Sequence, residues 1–142
     1  MKVIDVAGTK KTGKTTLVVK LVASLKRHGR VGTIKNMAGH PVDSGDTRRH
    51  FEAGADEVMG MGLARIKVTA PISLDSALDE MAKDGMDFVV VEGFKHSSLP
   101  KVALGDVEVE NAVVRTDVSR IDDALVQEIT DLVLNSDKFN WP

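Results

Sequence analysis

Short apolar runs and segments with helical spacing alternate along the chain. The short runs, rich in β-branched residues and bounded by turn residues, predict strands. They lie at residues 2–7, 31–35, 55–60, 65–69, 87–91, 101–104 and 112–115. Apolar residues at three- and four-residue spacing predict helices, which lie at residues 16–26, 46–52, 74–83 and 121–134. This order predicts an α/β fold with a mostly parallel sheet flanked by helices.

The length of the chain predicts one domain spanning residues 1–142. A chain of this length buries a substantial core without disulfides or a structural metal. The run Phe88–Val91 is apolar throughout, which predicts a strand covered on both faces. Ligands of parallel sheets bind at the carboxyl ends of strands. The polar residues that follow the predicted strands are therefore the first candidates for a functional site.

Composition excludes several classes of function. The sequence has no cysteine, so disulfides, thiolate zinc sites and iron–sulfur clusters are excluded. No apolar run approaches the roughly 18 residues that a membrane helix needs, and the chain enters a strand at once instead of a signal peptide. The net charge of −2 and the low aromatic content argue against nucleic-acid binding. These features predict a cytoplasmic protein that binds neither membrane nor nucleic acid.

One motif dominates the sequence, a complete G-x-x-x-x-G-K-[ST] P-loop between the first predicted strand and the first predicted helix. The predicted nucleotide-binding residues are those of the loop and the start of the helix: Gly8, Thr9, Lys10, Lys11, Thr12, Gly13, Lys14, Thr15 and Thr16. Glycines permit close approach of the main chain to an anion, and the helix N-terminus adds unpaired N–H groups. The alternative is a glycine-rich turn that matches by coincidence. The flanking strand and helix favour the P-loop.

The P-loop assigns roles to individual side chains. Lys14 is predicted to contact the β- and γ-phosphates, and the Thr15 hydroxyl to bind Mg²⁺. Glu92 follows the apolar strand at the position where P-loop proteins carry a Mg²⁺-binding carboxylate, in many of them Asp. Lys14 and Glu92 are therefore the predicted catalytic residues, and Thr15 and Glu92 the predicted metal-binding residues. The alternative for Glu92 is a solvated charge at a strand end.

A polar region at residues 36–50 follows the second predicted strand. In P-loop proteins such a region often senses the γ-phosphate, so Asp46 and Arg49 are predicted switch or anion-binding residues. Asp43 is an alternative to Asp46 as a water-mediated Mg²⁺ contact.

Two lysines beyond the Glu92 strand, Lys95 and Lys101, are predicted to form a basic rim for an anion, together with Lys35. The alternative for both the polar region and the basic rim is a solvated surface.

Four motifs of this chain resemble the MobB family of molybdopterin-guanine dinucleotide biosynthesis adaptor proteins. They are the P-loop continuing into Thr15-Thr16-Leu17, Gly32-Thr33-Ile34-Lys35, Asp46-Thr47-Arg48-Arg49 with Ala53-Gly54-Ala55, and Val91-Glu92-Gly93-Phe94-Lys95 with Pro100-Lys101. The last motif is the most specific, and the resemblance covers residues 2–104. Two positions depart from the family: Asn36 stands where members usually have His, and Ser44-Gly45 where they have Gly-Lys.

The resemblance implies a cytoplasmic, homodimeric P-loop protein that binds GTP and Mg²⁺ and hydrolyses GTP weakly. It would assist the molybdenum cofactor guanylyltransferase, which joins GMP to molybdopterin in molybdenum or tungsten cofactor synthesis. Arg49, Lys95 and Lys101 would then lie around an anionic nucleotide or a pterin phosphate, with molybdopterin or its guanine dinucleotide as a further ligand. Asp117, just after the last predicted strand, is a candidate for base recognition by its position alone.

Two other functions remain open on the sequence. The P-loop and Val91-Glu92-Gly93 are also similar to dethiobiotin synthetase, so an ATP-dependent small-molecule synthetase or kinase is the main alternative. A binding module with a vestigial P-loop is the non-enzymatic alternative. The joint presence of Gly13, Lys14, Thr15 and Glu92 argues against a vestigial site.

Overall fold

The computed structural model describes residues 1–40 and 45–142. The chain forms two compact units, one of residues 1–36 and 75–142 and the other of residues 37–74. The predicted α/β class, with a largely parallel sheet flanked by helices, is confirmed. The assignment of residues 1–142 to a single domain stays a prediction.

The described residues include seven strands, four α-helices and two short 3-10 helices. The strands are β1 (Lys2–Gly8), β2 (Val31–Lys35), β3 (Glu57–Met61), β4 (Arg65–Thr69), β5 (Phe88–Glu92), β6 (Lys101–Leu104) and β7 (Ala112–Thr116). The helices are α1 (Lys14–Leu25), α2 (Asp46–Glu52), α3 (Leu74–Lys83) and α4 (Asp123–Asn135). No helix in these ranges is long and apolar enough to cross a membrane.

The larger unit is built on a five-stranded sheet in the order β2-β5-β1-β6-β7, with every neighbouring pair parallel. β1 lies at its centre and pairs with β5 on one side and β6 on the other. All five residues of β5 are buried, as its continuous apolar run predicts. The carboxyl ends of β1 and β5 are therefore adjacent, and the residues that follow both strands meet at one edge of the sheet.

Helices cover both faces of this sheet. α1 and α4 pack together on one face, where Leu17, Leu21 and Ile129 are fully buried in the main apolar cluster. On the other face, a Cβ placed at Gly32 of β2 would lie only 2.7 Å from Met81 Sδ of α3. The absence of a side chain at Gly32 therefore lets α3 lie close to the sheet.

The smaller unit contains α2 and an antiparallel hairpin of β3 and β4. Both strands were predicted, but they form a separate two-stranded sheet instead of extending the parallel one. A short connection of three residues, 62–64, joins them, and this length suits antiparallel pairing, since parallel strands need a long crossover.

The helix boundaries differ slightly from the predicted ones. α1 begins at Lys14, two residues early, because the last residues of the P-loop already adopt helical geometry. α4 begins at Asp123, two residues late, because the Asp122 side chain accepts a hydrogen bond from Leu125 N and caps the helix there.

Candidate functional site

The P-loop lies at the carboxyl end of β1, between the ends of β5 and β6. Its first half follows β1 directly, and its second half becomes the first turn of α1. Lys11 has a positive φ of 59° and Gly13 one of 88°. Left-handed residues of this kind turn successive backbone N–H groups toward one side, which makes a concavity suited to anions.

Both motif glycines are required by the local geometry. A Cβ at Gly8 would lie 2.6 Å from Thr12 Oγ1 and 2.9 Å from Leu104 O. A Cβ at Gly13 would lie 2.9 Å from Ile121 Cδ1, in addition to the strain of its positive φ. Gly8 therefore allows a close approach of β6, whereas Gly13 allows both a left-handed turn and contact with the segment after β7.

The N-terminus of α1 is open to an anion. Gly13 occupies the cap position and supplies no side chain to cap the helix, and the first turn carries no acidic residue. Unpaired N–H groups and the positive end of the helix dipole are thus available to a phosphate. Lys14 Nζ donates to Gly8 O at 2.9 Å and to Thr9 O at 3.3 Å, which holds its ammonium group against the P-loop.

Thr15 and Glu92 come together although 77 residues separate them in the chain. Thr15 Oγ1 donates a hydrogen bond to Glu92 Oε1 at 2.9 Å. Glu92 is only 7% exposed. A hydroxyl and a carboxylate in contact beside a phosphate cradle are oxygen ligands of the kind that Mg²⁺ prefers. The arrangement fits the predicted metal-binding pair.

Two cavities flank Lys14. The smaller, of about 240 Å³, is lined by Lys11, Gly13, Thr15, Thr16 and Glu92 in addition to Lys14. The larger, of about 460 Å³, lies on the side of the first P-loop residues, Gly8, Thr9 and Lys10. Its remaining lining comes from Asn36 at the end of β2 and from residues 93–97 after β5.

Asp5 contributes an interior carboxylate that the sequence analysis missed. It lies in the middle of β1 and is fully buried. Its Oδ1 accepts from Phe94 N and its Oδ2 from Ser97 Oγ, both at 3.4 Å. Burial raises the pKa of Asp5, while the Phe94 amide and the Lys101 ammonium act in the opposite direction. A charged residue inside an otherwise apolar strand was the available signal.

Lys101 is not part of a basic rim, so that expectation is wrong for this residue. Its side chain is fully buried, and its Nζ donates to Leu99 O at 2.9 Å and to Ser97 O. Burial lowers the pKa of Lys101, and the carboxylates of Asp5 and Glu110 oppose that shift. Register explains the burial: Lys101 pairs with Asp5 in the centre of the sheet, which one strand read alone does not reveal.

Residues 93–100 connect β5 to β6 and must pass β1, which lies between those two strands. Gly93 N donates to Val6 O and Asp5 N donates to Pro100 O, both at 3.0 Å. With the bonds to the Asp5 carboxylate, both ends and the middle of this segment are attached to β1. The segment forms one wall of the larger cavity.

The other predicted residues fall in different places. Lys95 is exposed and lines the larger cavity. Asp46 and Arg49 lie on α2 in the smaller unit, where their exposed side chains form an ion pair with Arg49 Nη1 3.6 Å from Asp46 Oδ1. Asp43 lies outside the described residues. The structure leaves the anion-binding roles of Lys95, Asp46 and Arg49 as predictions.

Asp117 follows β7 and caps a short 3-10 turn, Val118–Arg120. Its Oδ1 accepts from Ser119 N at 2.9 Å and from the Ser119 hydroxyl, and these hydrogen bonds lower the pKa of Asp117. Val118 and Ile121, which follow Asp117 in the chain, have side chains that lie close to Gly13. The segment that carries Asp117 therefore borders the P-loop, although its role in base recognition remains a prediction.

Comparison with known proteins identifies relatives of the chain. Residues 3–128 match a family model described as MobB, molybdopterin guanine dinucleotide synthesis protein B. A Haemophilus influenzae molybdopterin-guanine dinucleotide biosynthesis adapter protein is 34% identical over 110 residues, which are 71% of this chain and 61% of that protein. A Methanocaldococcus jannaschii relative is 30% identical over 110 residues, covering 73% of this chain and 47% of that protein.

A solved structure has the same fold. The crystal structure of a MobB protein homolog from Bacillus stearothermophilus is 25% identical, has a TM-score of 0.73, and covers 96% of this chain and 100% of its own. The chain thus spans less than two thirds of the two sequence relatives but the full length of this structural one.

The contact between Thr15 and Glu92 predicts a specific loss of stability. Thr15→Val keeps the shape of the side chain but leaves the buried Glu92 carboxylate without this donor. We expect the free energy of unfolding in urea to fall by about 1–2 kcal/mol, whereas Thr15→Ser should keep most of it. Thr16→Val is the matched control, since no hydrogen bond of the Thr16 hydroxyl is found within the described residues. Equal effects of the two valine substitutions would contradict this assignment.

Proposed function

The chain belongs to the MobB family, and from this premise we propose that it is a cytoplasmic GTP-binding protein that assists the attachment of GMP to molybdopterin. One observation carries the nucleotide part of the proposal: a complete P-loop whose Thr15 hydroxyl contacts Glu92 at 2.9 Å. The similarity to the Haemophilus influenzae molybdopterin-guanine dinucleotide biosynthesis adapter protein supports the biosynthetic part. The partner would be the molybdenum cofactor guanylyltransferase, and the further ligand molybdopterin or its guanine dinucleotide.

In this proposal the phosphates of GTP bind residues 8–16. Backbone N–H groups of the loop and of the first turn of α1 contact the phosphate oxygens. Lys14 exchanges its carbonyl partners, Gly8 O and Thr9 O, for the β- and γ-phosphates. The exchange is favourable because a charged acceptor forms a stronger hydrogen bond with an ammonium group than a neutral carbonyl does.

Thr15 and Glu92 would hold Mg²⁺, directly or through water. When bound, Mg²⁺ neutralises charge that develops on the phosphate oxygens. The Thr15 hydroxyl oxygen would then coordinate the cation. The Glu92 carboxylate would orient a metal-bound or attacking water. A weak rate of hydrolysis is part of the proposal, with Lys14 and Glu92 as the catalytic residues.

Asp46 and Arg49 are the proposed switch residues. Their ion pair is highly exposed, with 82% of the Arg49 and 90% of the Asp46 side chain accessible, so it contributes little to stability. A pair of this kind is readily exchanged for a phosphate or metal-bound water.

Homodimerisation is proposed through the hairpin of β3 and β4. Met59 and Met61 are exposed on one face of the hairpin and Leu63 in its turn, with Met61 84% accessible. A cluster of accessible apolar side chains is unusual on a soluble surface and typical of an interface. Within the described residues the hairpin forms a sheet of only two strands, and the outer edge of such a sheet is a template with which a second copy can pair.

Calorimetric titration with GTP and with ATP, each with Mg²⁺, tests the nucleotide assignment. We expect GTP to bind more tightly than ATP, and Lys14→Ala to lower the affinity by more than roughly tenfold, because it removes the charge that contacts two phosphates. Glu92→Gln keeps an acceptor for Thr15 and should reduce the Mg²⁺-dependent part of the affinity and of turnover.

Lys26→Ala is the control in these titrations, since this exposed lysine lies at the opposite end of α1. An unchanged affinity in Lys14→Ala would refute the P-loop assignment. Tighter binding of ATP would favour the alternative, an ATP-dependent synthetase or kinase.

Base recognition by Asp117 predicts a change in selectivity. A carboxylate there would accept hydrogen bonds from the guanine N1 and N2 groups, which adenine cannot donate. Asp117→Asn should retain an acceptor for Ser119 N, and therefore the 3-10 turn, while losing the second acceptor. We expect GTP affinity to fall about tenfold and ATP affinity to change little. Asp117→Ala binding GTP as tightly as the parent would exclude Asp117 from recognition.

The hairpin interface predicts that charge at its exposed residues produces monomers. Met61→Lys and Leu63→Lys place like charges of two copies against each other, so we expect the sedimentation coefficient at micromolar concentration to fall to the monomer value. Val19→Lys is the control, because Val19 is also exposed (61%) but lies on α1. If the hairpin variants remain dimeric, or if the parent is already a monomer, this interface is wrong.

A further inference from the structure

The larger cavity beside the P-loop has room for a small molecule. Its volume is about 460 Å³, whereas one water occupies roughly 30 Å³ in the liquid. Cavities that hold small molecules have volumes of roughly 300–1,000 Å³. The Thr15–Glu92 pair belongs to the smaller cavity, with Lys14 lining both. The larger cavity therefore shares its P-loop lining with the phosphate site and extends beyond it to residues 93–97, on the side away from the metal-binding pair.

The charges around this cavity favour an anion. Lys10, Lys14 and Lys95 line it, together with His96, which has a ring N–H to donate. Among the described lining residues there is no carboxylate. Cations of one sign around a concave surface focus the field and raise the local concentration of anions.

The side of residues 95–97 that faces away from the P-loop is acidic. Residues 95–97 also line a neighbouring cavity of about 350 Å³, where Glu108 and Glu110 supply two carboxylates. Those carboxylates disfavour an anion on that side. An anionic ligand is therefore expected on the side of residues 95–97 that faces the P-loop.

The segment that carries Lys95 and His96 forms one wall of the cavity, and buried side chains of the sheet hold it by hydrogen bonds. The fully buried Asp5 accepts from Phe94 N and Ser97 Oγ, one residue before and one residue after this pair. The buried Lys101 ammonium donates to the carbonyl of Ser97 from the same interior. Fixing the backbone on both sides of two ligand-binding residues reduces the entropy lost on binding. This is the arrangement of a preorganised site.

We propose that this cavity binds a second ligand, a phosphate monoester, beside the terminal phosphate of the nucleotide. Lys95 and His96 bind its phosphate group, and the neighbouring Phe94 provides an apolar surface for the ester group. The proposal rests on the proposed function, since it takes the P-loop as the nucleotide site. It makes Asp5 and Lys101 positioning residues, which hold the binding residues without touching the ligand.

Phenyl phosphate is the probe, because it combines a phosphate monoester with a flat apolar group. The protein is first saturated with a non-hydrolysable GTP analogue and Mg²⁺, and that binding is measured separately. Phenyl phosphate is then titrated calorimetrically, with phenol as the uncharged comparison. We expect one equivalent of phenyl phosphate to bind the nucleotide-loaded protein and phenol to bind far more weakly.

Variants locate the binding. Lys95→Gln and His96→Leu should each weaken phenyl phosphate binding by about five- to tenfold, because each removes a hydrogen-bond donor to the phosphate, the ammonium group or the ring N–H. His96→Leu should change the affinity for the GTP analogue less than about twofold. Lys138→Gln is the control, because this exposed lysine lies near the amino end of β1, at the opposite edge of the sheet. Its binding of the probe should equal that of the parent.

Three results would overturn the proposal. One is the failure of phenyl phosphate to bind nucleotide-loaded protein. Another is binding only to nucleotide-free protein, which would place the probe on the P-loop itself. The third is unchanged binding in both loop variants. Failure of the first titration, with the GTP analogue, would refute the proposed function and this inference together, whereas failure of the second alone would refute only the inference.

Discussion

The parallel pairing of β1 with β5 and β6 is the constraint on which the candidate site depends. β1 is hydrogen-bonded on both sides, so the P-loop that follows it emerges between two other strand ends. The same pairing places Glu92 at the end of β5 next to Val6. Glu92 then lies where the first turn of α1 brings the Thr15 hydroxyl within 2.9 Å. The contact between residues 77 positions apart is a direct result of strand order.

Burying the Asp5 carboxylate and the Lys101 ammonium costs free energy, and the hydrogen bonds of the two groups offset this cost. Removing a charge from water costs several kcal/mol per ion, and Asp5 and Lys101 are both fully buried. The pKa directions show this, since burial raises the pKa of Asp5 and lowers that of Lys101. Apolar residues would fill the same space at lower cost, but they could not hold four separate polar groups of the 93–100 segment. The pair thus contributes a defined loop position rather than stability alone.

Within the smaller unit, the exposed apolar side chains of the hairpin stand in contrast to the polar residues of α2. In the hairpin, Val58 is buried and Met59 and Met61 point to the other face. Alternation along a strand separates these faces automatically, so a sheet of two strands with one covered face leaves the other for a partner. Met59 and Met61 share this face with Lys67 and Arg65, so the face offers a partner both apolar contacts and charges.

Local sequence determined the elements and the phosphate-binding loop. Several predicted bounds, including those of β2, α2 and α3, are the same in the structure, because hydrophobic period, glycines and caps act over a few neighbouring residues. The P-loop is likewise a contiguous motif whose geometry follows from Gly8 and Gly13. Glu92 was predicted because a strand-end carboxylate beside a P-loop is a recurring arrangement, and the fold placed it against Thr15.

Only the tertiary structure decided which polar residues face a ligand and which face the interior. Lys101 follows a proline and a turn, as an exposed lysine would, yet its register opposite Asp5 in the sheet buries it. The hairpin of β3 and β4 has the same local pattern as the parallel strands, but its short connection allows only antiparallel pairing. Burial and strand pairing depend on residues that are distant in the chain. The sequence by itself therefore determined the phosphate-binding loop, whereas the packing of the sheet decided the position of residues 93–97 beside it.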